Sequence, residues 1–326
     1  MDPHDDGALL EGYNLFCDAN AVDDPAGHLP PPSVFRIWMT TGWSGHPREM
    51  WGARDDSGTL TGWYKLELPD KENLHRAYLT LIVHPAARRR GLGRELLAHA
   101  SERAAAAGRT MLAGSAWLGT AGDAFARAVG AVPALAEIRR VQVLADIKLG
   151  ELDRLRDEAK QASAGYSVIR WTEPVPEEYI KPMVAVLTGF EDAPRSENSE
   201  RAQVSEQRIR EDNERFLKAG QRGYTVAARH DATGALAAAS QVFISPDDAE
   251  WASQGLTAVV REHRGRRLGL LTKIAMLDWL AEAEPQITHI ETWNAEVNGY
   301  MIGVNEALGY QVLGVPNQDY ELALSG

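Results

Sequence analysis

The alternation of apolar and polar positions along the chain repeats itself. Residues 76–83 (RAYLTLIV) are rich in β-branched and aromatic side chains and close on His84-Pro85, which predicts a strand. A basic glycine turn follows, Arg88-Arg89-Arg90-Gly91-Leu92-Gly93. After it Leu92, Leu96, Leu97, Ala100 and Ala104 recur at helical spacing up to Gly108. The same unit returns from Leu256, with LTAVV as the strand and Arg264-Gly265-Arg266-Arg267-Leu268-Gly269 as the turn. Leu268, Leu271, Ile274, Ala275 and Leu280 form the buried stripe of the second helix. An offset of 176 residues superposes Arg88 on Arg264, Val83 on Val259, Arg90 on Arg266, Leu92 on Leu268 and Gly93 on Gly269. Each unit leads into another strand and a short helix, ending at Gly130-Ala131 and Gly309-Tyr310. Two tandem copies of one fold are predicted.

The joint between the copies is legible as well. Glu137 to Leu144 reads as the last strand of copy one, Ile147 to Ser163 as a charged helix, and Tyr166 to Trp171 as the first strand of copy two. The division is therefore a domain over 1–145, a linker helix over 146–164 and a domain over 165–326, with the boundary near Gly165. Copy one opens on a helical pattern, Ala8 to Asn20, with no strand before it. Its sheet edge near Met50 to Asp55 is then either exposed or filled by copy two. Glu191 to Lys218 predicts a loop with Pro194 and a charged helix peculiar to copy two.

Composition narrows the chemistry. The 326 residues carry 34 Lys+Arg against 46 Asp+Glu, a net charge of −12, with 44% hydrophobic residues, enough for a core in each half. So acidic a surface argues against nucleic-acid binding. The excess is uneven, at −3 through residue 164 and −9 after it, which suits a cationic substrate on the second half. The single cysteine, Cys17, excludes intramolecular disulfides and multi-cysteine metal clusters, and no metal site is expected. An acidic N-terminus and the lack of a long apolar run predict a cytoplasmic protein with no membrane segment.

Against this acidic background the two turns are local basic points. A helix N-terminus offers free N–H groups and the positive end of the dipole, and clustered arginines add fork-shaped donors, so each turn predicts an anion cradle. Neither has the Gly-Lys-Ser/Thr of a Walker loop, and Leu96 stands where a dinucleotide fingerprint needs its third glycine. The remaining pattern, Val-x-x-x-x-Arg-x-x-Gly-x-Gly, resembles the acyl-coenzyme A loop of the GNAT N-acetyltransferases. Val83 to Gly93 matches throughout, whereas copy two has Arg267 in place of the first glycine. With ETWNAEVNGYMIGVNEALGY (291–310) and the Glu191-Asp192-Ala193-Pro194 turn, the chain resembles the tandem GNAT proteins common in actinobacteria.

The resemblance implies an α+β fold of two GNAT-like domains, each a mostly antiparallel sheet flanked by helices, with two central strands splayed to admit the pantetheine arm. It implies acetyl-CoA as co-substrate and direct attack by a small-molecule amine, in a monomer or homodimer. Cofactor contacts fall on Val83, Arg88, Arg89, Arg90, Gly91 and Gly93, and on Val259, Arg264, Gly265, Arg266, Arg267 and Gly269, with Asn294 and Asn298. The family's tyrosine acid, four residues before the closing glycine, is replaced by Ala126 in copy one and Asn305 in copy two. Copy two keeps a polar segment there, with Tyr300 as an alternative acid, so catalysis is expected in the C-terminal copy. Glu291 and Asp192 are the candidate bases, although Glu291 also reads as an exposed strand carboxylate and Asp192 as a turn or cap residue. A non-catalytic acyl-CoA-binding protein is the alternative.

Overall fold

The computed structural model describes residues 2–324 apart from residue 43. Contacts divide the chain into two compact units. Unit 1 comprises Met1–Ile138, Arg195–Glu200 and Leu313–Gly326, and unit 2 comprises Arg139–Pro194 and Arg201–Val312.

Unit 1 opens on helices α1 (Asp6–Asp23) and α2 (Pro32–Met39). Asp5 starts α1 by accepting hydrogen bonds from the Gly7 and Ala8 amides at 2.8 and 3.1 Å, and Leu9, Leu15 and Ala19 form its buried side. Then come β1 (Arg48–Arg54), β2 (Leu60–Glu67), β3 (Arg76–Val83), α3 (Leu92–Ala106), β4 (Met111–Trp117), α4 (Ala121–Ala128) and β5 (Val132–Val143). Alternation along the strands gives the sheet two apolar faces. Trp63 and Ile82 pack with Leu9, Phe35 and Met39 under α1 and α2, while Tyr64, Leu66 and Ala77 pack with Leu96, Ala100 and Ala104 of α3. β1 lies at the edge, and among the described residues no strand precedes it.

Unit 2 begins with the end of β5 and α5 (Leu149–Ala162). It continues through β6 (Tyr166–Thr172), α6 (Glu177–Phe190), α7 (Glu206–Ala219), β7 (Arg222–His230), β8 (Leu236–Ile244) and β9 (Trp251–Val259). After these come α8 (Leu268–Ala283), β10 (His289–Ala295), α9 (Gly299–Ala307) and the short β11 (Gln311–Val312). α5 and α8 cover one face, where Leu152 and Leu155 meet Val226, Ile274 and Ile290. α6 and α7 cover the other, through Ile180, Met183 and Ile209 against Ala227, Ala239 and Ala258.

The copies divide the sequence and the units divide the contacts, and the two divisions differ at the closing strands. The chain's last strand, β12 (Asn317–Ala323), belongs to unit 1, inserted antiparallel between β4 and the first half of β5, with Asp319 opposite Ser115 and Asn317 opposite Glu137. The second half of β5, residues 139–143, belongs to unit 2 and pairs with β11 through Val141↔Gln311. Each unit is thus closed by a strand from the other copy. Unit 1 also takes residues 195–200, held by reciprocal bonds between Asn73 and Glu200 at 2.7 and 2.8 Å.

Candidate active site

Both turns are built the same way. A single 3-10 turn (Pro85–Ala87 or Arg261–His263) follows the strand, and the chain enters the helix through two residues of positive φ. These are Arg89 (64°) and Gly91 (96°) before α3, and Gly265 (81°) and Arg267 (53°) before α8. The copies place glycine at alternate members of one pair. The arginine at the other member accepts the left-handed conformation at a cost of about 1–2 kcal/mol. Arg267 therefore leaves the shape of the turn intact. The first N–H groups of an α-helix have no partner within it, so each of these N-termini could hold an anion.

The arginines divide their work. Arg88 donates from Nε to the Val83 carbonyl at 3.0 Å and from both Nη atoms to Asp23 at 2.7 Å. Arg264 donates to the Val259 carbonyl at 3.2 Å, the Gly189 carbonyl at 3.2 Å and Asp192 at 2.8 Å. Both are struts that tie a strand end to the C-terminal end of a helix, α1 for Arg88 and α6 for Arg264, so their forks are spent within the protein and not turned to a phosphate. Asp192 also receives Arg261 at 2.8 Å and Arg201 at 3.2 Å, and Arg261 and Arg264 hold its carboxyl below the usual range. A carboxylate engaged by three cations is a poor acceptor for an ammonium proton, so the base expected at Asp192 is instead a strut. Arg89 and Arg90 are exposed beside the first cradle. At the second, Arg266 lies over the Tyr166 ring at 5.8 Å and Arg267 pairs with Glu158 at 2.6 Å.

Next to the cradles the parallel central strands part. β3 and β4 pair only from Arg76↔Met111 to Tyr78↔Ala113, and β9 and β10 only from Trp251↔His289 to Ser253↔Glu291. Two features distinguish the splays. A Cβ built at Gly93 would lie 3.4 Å from the Phe125 ring of α4, whereas one at Gly269 would meet only methyl groups of Thr257 and Val259 at 3.6 and 3.7 Å. The first cradle has an aromatic ring against it, the second only the wall of its own strand. Strand regularity differs too. β2 and β3 keep one register from Gly62↔Val83 to Glu67↔Tyr78. In β8 and β9, Ser240↔Thr257 and Val242↔Gln254 leave Gly255 and Leu256 opposite Gln241 alone, a β-bulge just past the last rung of the splay. Phe243 lies 2.6 Å from where a Cβ on Gly255 would stand, which keeps that position glycine.

On the α6/α7 face of unit 2, Glu173 follows β6 and accepts hydrogen bonds from the Thr225 hydroxyl and from Gln241 Nε2 at 2.9 Å. Burial raises its carboxyl above the ordinary range despite those bonds. Glu291 stands on the same face, because its neighbour Ile290 points into the α8-side core. Its Oε1 accepts from Trp293 Nε1 at 3.1 Å and its Oε2 lies 4.0 Å from Arg139 Nε. Gln241, bonded to Glu173, faces the bulge, and Glu291 sits on the last paired rung, so the two carboxylates flank the splay. On the helix after β10, Asn298 is the cap of α9, accepting from the Met301 amide at 3.4 Å, and Tyr300 is 60% exposed. Asn305 is fully buried and donates to Asn294 Oδ1 at 2.7 Å. Its own Oδ1 has no hydrogen-bond partner among the described residues.

Unit 1 has a different chemistry at its splay. Ala126 replaces the amide, and Asp123 ties α4 to β12 by accepting from the Tyr320 hydroxyl, the Gly119 amide at 2.9 Å and Arg127 at 2.7 Å. Beside β4, burial and then the charges of Glu137 and Glu321 push Asp319 up to about 6, and burial raises Glu137 as well. The folded chain therefore binds a proton at Asp319 more tightly than the unfolded chain does. Stability is fully present below pH ~4 and is lost as pH rises through about 6. Asp319→Asn is expected to stabilise unit 1 by about 2 kcal/mol at pH 8 and by nothing below pH ~4. Melting curves at the two pH values check this; equal stability of the two proteins at pH 8 contradicts it.

Two helix N-termini, each beside a parted pair of parallel strands, are the features common to both units. Residues 11–129 match the acetyltransferase (GNAT) family. Over its whole length the similarity is to the tandem form. The chain is similar to a tandem GNAT protein from the clavulanic acid biosynthesis pathway at 29% identity and a TM-score of 0.81, covering 100% of this chain and 98% of that one. A GCN5-related N-acetyltransferase from Sphaerobacter thermophilus shares the fold at 12% identity and a TM-score of 0.70, with 100% and 95% covered. So does a putative acetyltransferase from Pyrococcus horikoshii at 11% identity and a TM-score of 0.57, with 100% and 88% covered. No curated protein matches the sequence. Among the described residues no helix is long and apolar enough to cross a membrane.

Proposed function

We propose that the chain transfers an acetyl group from acetyl-CoA to the amine of a small molecule, and that the C-terminal copy carries the reaction. The bulge at Gly255-Leu256 is the observation that carries this reading. A bulge leaves backbone N–H groups out of the ladder, and donors fixed at the splay are what a thioester carbonyl needs as charge develops on its oxygen. One further feature fits an acyl-CoA, the first turn of α8, which suits the pyrophosphate.

The amine approaches on the α6/α7 face, where Glu173 and Glu291 favour a cation. Glu173 takes the ammonium proton, its raised basicity matching that task better than an ordinary carboxylate would. Glu291 orients the amine from the other side. The nitrogen forms its bond to the acyl carbon and gives its second proton to water, the carbon–sulfur bond breaks, and the thiolate leaves. Asn305 can donate a hydrogen bond but cannot supply a proton, so the sulfur takes its proton from water.

A second reading, in which the N-terminal copy turns over, is favoured by Asp319 beside its splay and by the exposed Arg89 and Arg90. Gly93→Leu and Gly269→Leu, which fill one cradle each, separate the two. We expect Gly269→Leu to lower free-thiol release at least about 100-fold, with a panel of amino sugars, polyamines and amino acids as acceptors, and Gly93→Leu to change it less than about threefold. The opposite pattern moves the reaction to the N-terminal copy. Calorimetric binding of acetyl-CoA with no thiol release for any amine makes the chain a binding protein.

A further inference from the structure

The α8 stripe, LGLLTKIAMLDWL, contains one cation. Lys273 is 3% exposed, and no carboxylate pairs with it among the described residues. Its ammonium donates to Gln254 Oε1 at 3.0 Å and lies 4.6 Å from the centre of the Tyr310 ring. A buried ammonium without a counter-charge is costly, and burial alone brings this one down to about 7. A methionine would fill the same space without that cost, so the lysine is kept for something other than stability.

Its partner shows what that is. Gln254 is the β9 residue immediately before the bulge. From Nε2 it donates to the Gln241 carbonyl at 2.6 Å and to Ser240 Oγ at 3.1 Å, with the Leu256 carbonyl 3.5 Å away. Gln241 is the residue that two bulge residues face, so the amide supplies the donor that a regular ladder would have given. A glutamine amide can turn over and exchange its oxygen and nitrogen. In its charged form Lys273 only donates, and it then fixes the oxygen toward α8 and the nitrogen toward the bulge. Unit 1 is the internal control. Leu79 follows the last rung of its splay as Gln254 does in unit 2, and Leu97 stands five residues into its helix as Lys273 does. Both are packed in an apolar core beside a strand with no bulge. The polar pair occurs where the bulge occurs.

We propose that Gln254 and Lys273 are positioning residues for acyl transfer, a two-member brace that holds the bulged segment of β9 with its backbone N–H groups directed into the splay. This rests on the assignment of the reaction to the C-terminal copy.

The test uses the full chain with Lys273→Met, Gln254→Leu and the near-isosteric Gln254→Glu, which keeps a partner for Lys273 and removes the donors to Gln241. Free-thiol release from acetyl-CoA is measured with the amine of the panel that is turned over fastest, together with the Kd for acetyl-CoA and the melting temperature. The expected result is a fall in kcat of about 10–100-fold in all three variants, with Kd within about threefold. Lys273→Met should melt no lower than the parent, which a merely structural lysine would not allow. The proposal is overturned by an unchanged kcat in Lys273→Met, or by losses that follow melting temperature and Kd together. Gly269→Leu runs alongside. If it blocks turnover while Lys273→Met does not, only the brace fails. If it leaves turnover intact, or if no amine is acetylated, the assignment to the C-terminal copy fails and the brace falls with it.

Discussion

Glu173→Gln is expected to lower kcat by about 10²–10⁴-fold, the range for loss of a positioned general base. Glutamine preserves the volume and an oxygen that can accept from Thr225 or Gln241, so binding of acetyl-CoA and the melting temperature should stay near those of the parent. The pH profile gives the sharper reading. Burial raises the carboxyl, so the parent should lose kcat/KM on the acid side at a pH above the ordinary carboxylate range, as Glu173 takes up a proton. The variant should show residual activity without that limb. A kcat within about threefold of the parent would remove Glu173 from the mechanism and turn attention to Glu291 across the splay.

A chain ending at Val312 is expected to lose unit 1 altogether. β12 lies between β4 and β5, and its removal opens both edges and strips away buried Tyr320 and the core contact of Leu322. Arg76, 3% exposed and bonded to Glu321 at 2.8 Å, would be left as a buried cation without its carboxylate, by itself worth about 3–5 kcal/mol. Against a typical domain stability of about 5–15 kcal/mol, these losses together exceed what unit 1 can absorb. Unit 2 contains none of the deleted residues. Hydrogen exchange should therefore show residues 60–130 unprotected while α8 and β7 to β9 remain protected. Protection of β2 and β3 in the truncated chain would mean that unit 1 stands without its borrowed strand.

Much of this was legible in the residues, for definite reasons. Apolar period and glycine position are local, so the strand Arg76–Val83, the turn after it and the offset between copies could be read directly. The tyrosine that the resemblance implies is visibly replaced by Ala126 and Asn305, because that position is counted from a nearby glycine. The destination of the last strand was not legible. β12 alternates like any half-buried strand, and nothing in NQDYELA says which sheet it enters. The arginines misled for a similar reason. Arg88 and Arg264 carry the right charge at the right place, and only the folded chain brings Asp23 and Asp192 against them. Glu173 gave no local signal, since its raised basicity comes from being enclosed by β7, β8 and α7. Lys273 did leave a trace, a lone cation in an apolar helix, but its meaning depends on a bulge that no periodicity reveals.

The exchange of closing strands also sets a clock for synthesis. Unit 1 lacks an inner strand until residue 323 has left the ribosome, although its other strands are complete by residue 138. At about 5–20 residues per second that interval is on the order of 10–40 s. Throughout it β4 and β5 present open edges to whatever is nearby, so the nascent chain has a built-in window in which chaperones can bind. The same wiring resists fission of the gene: a break at the joint near Gly165 would send each half out without the strand that closes it.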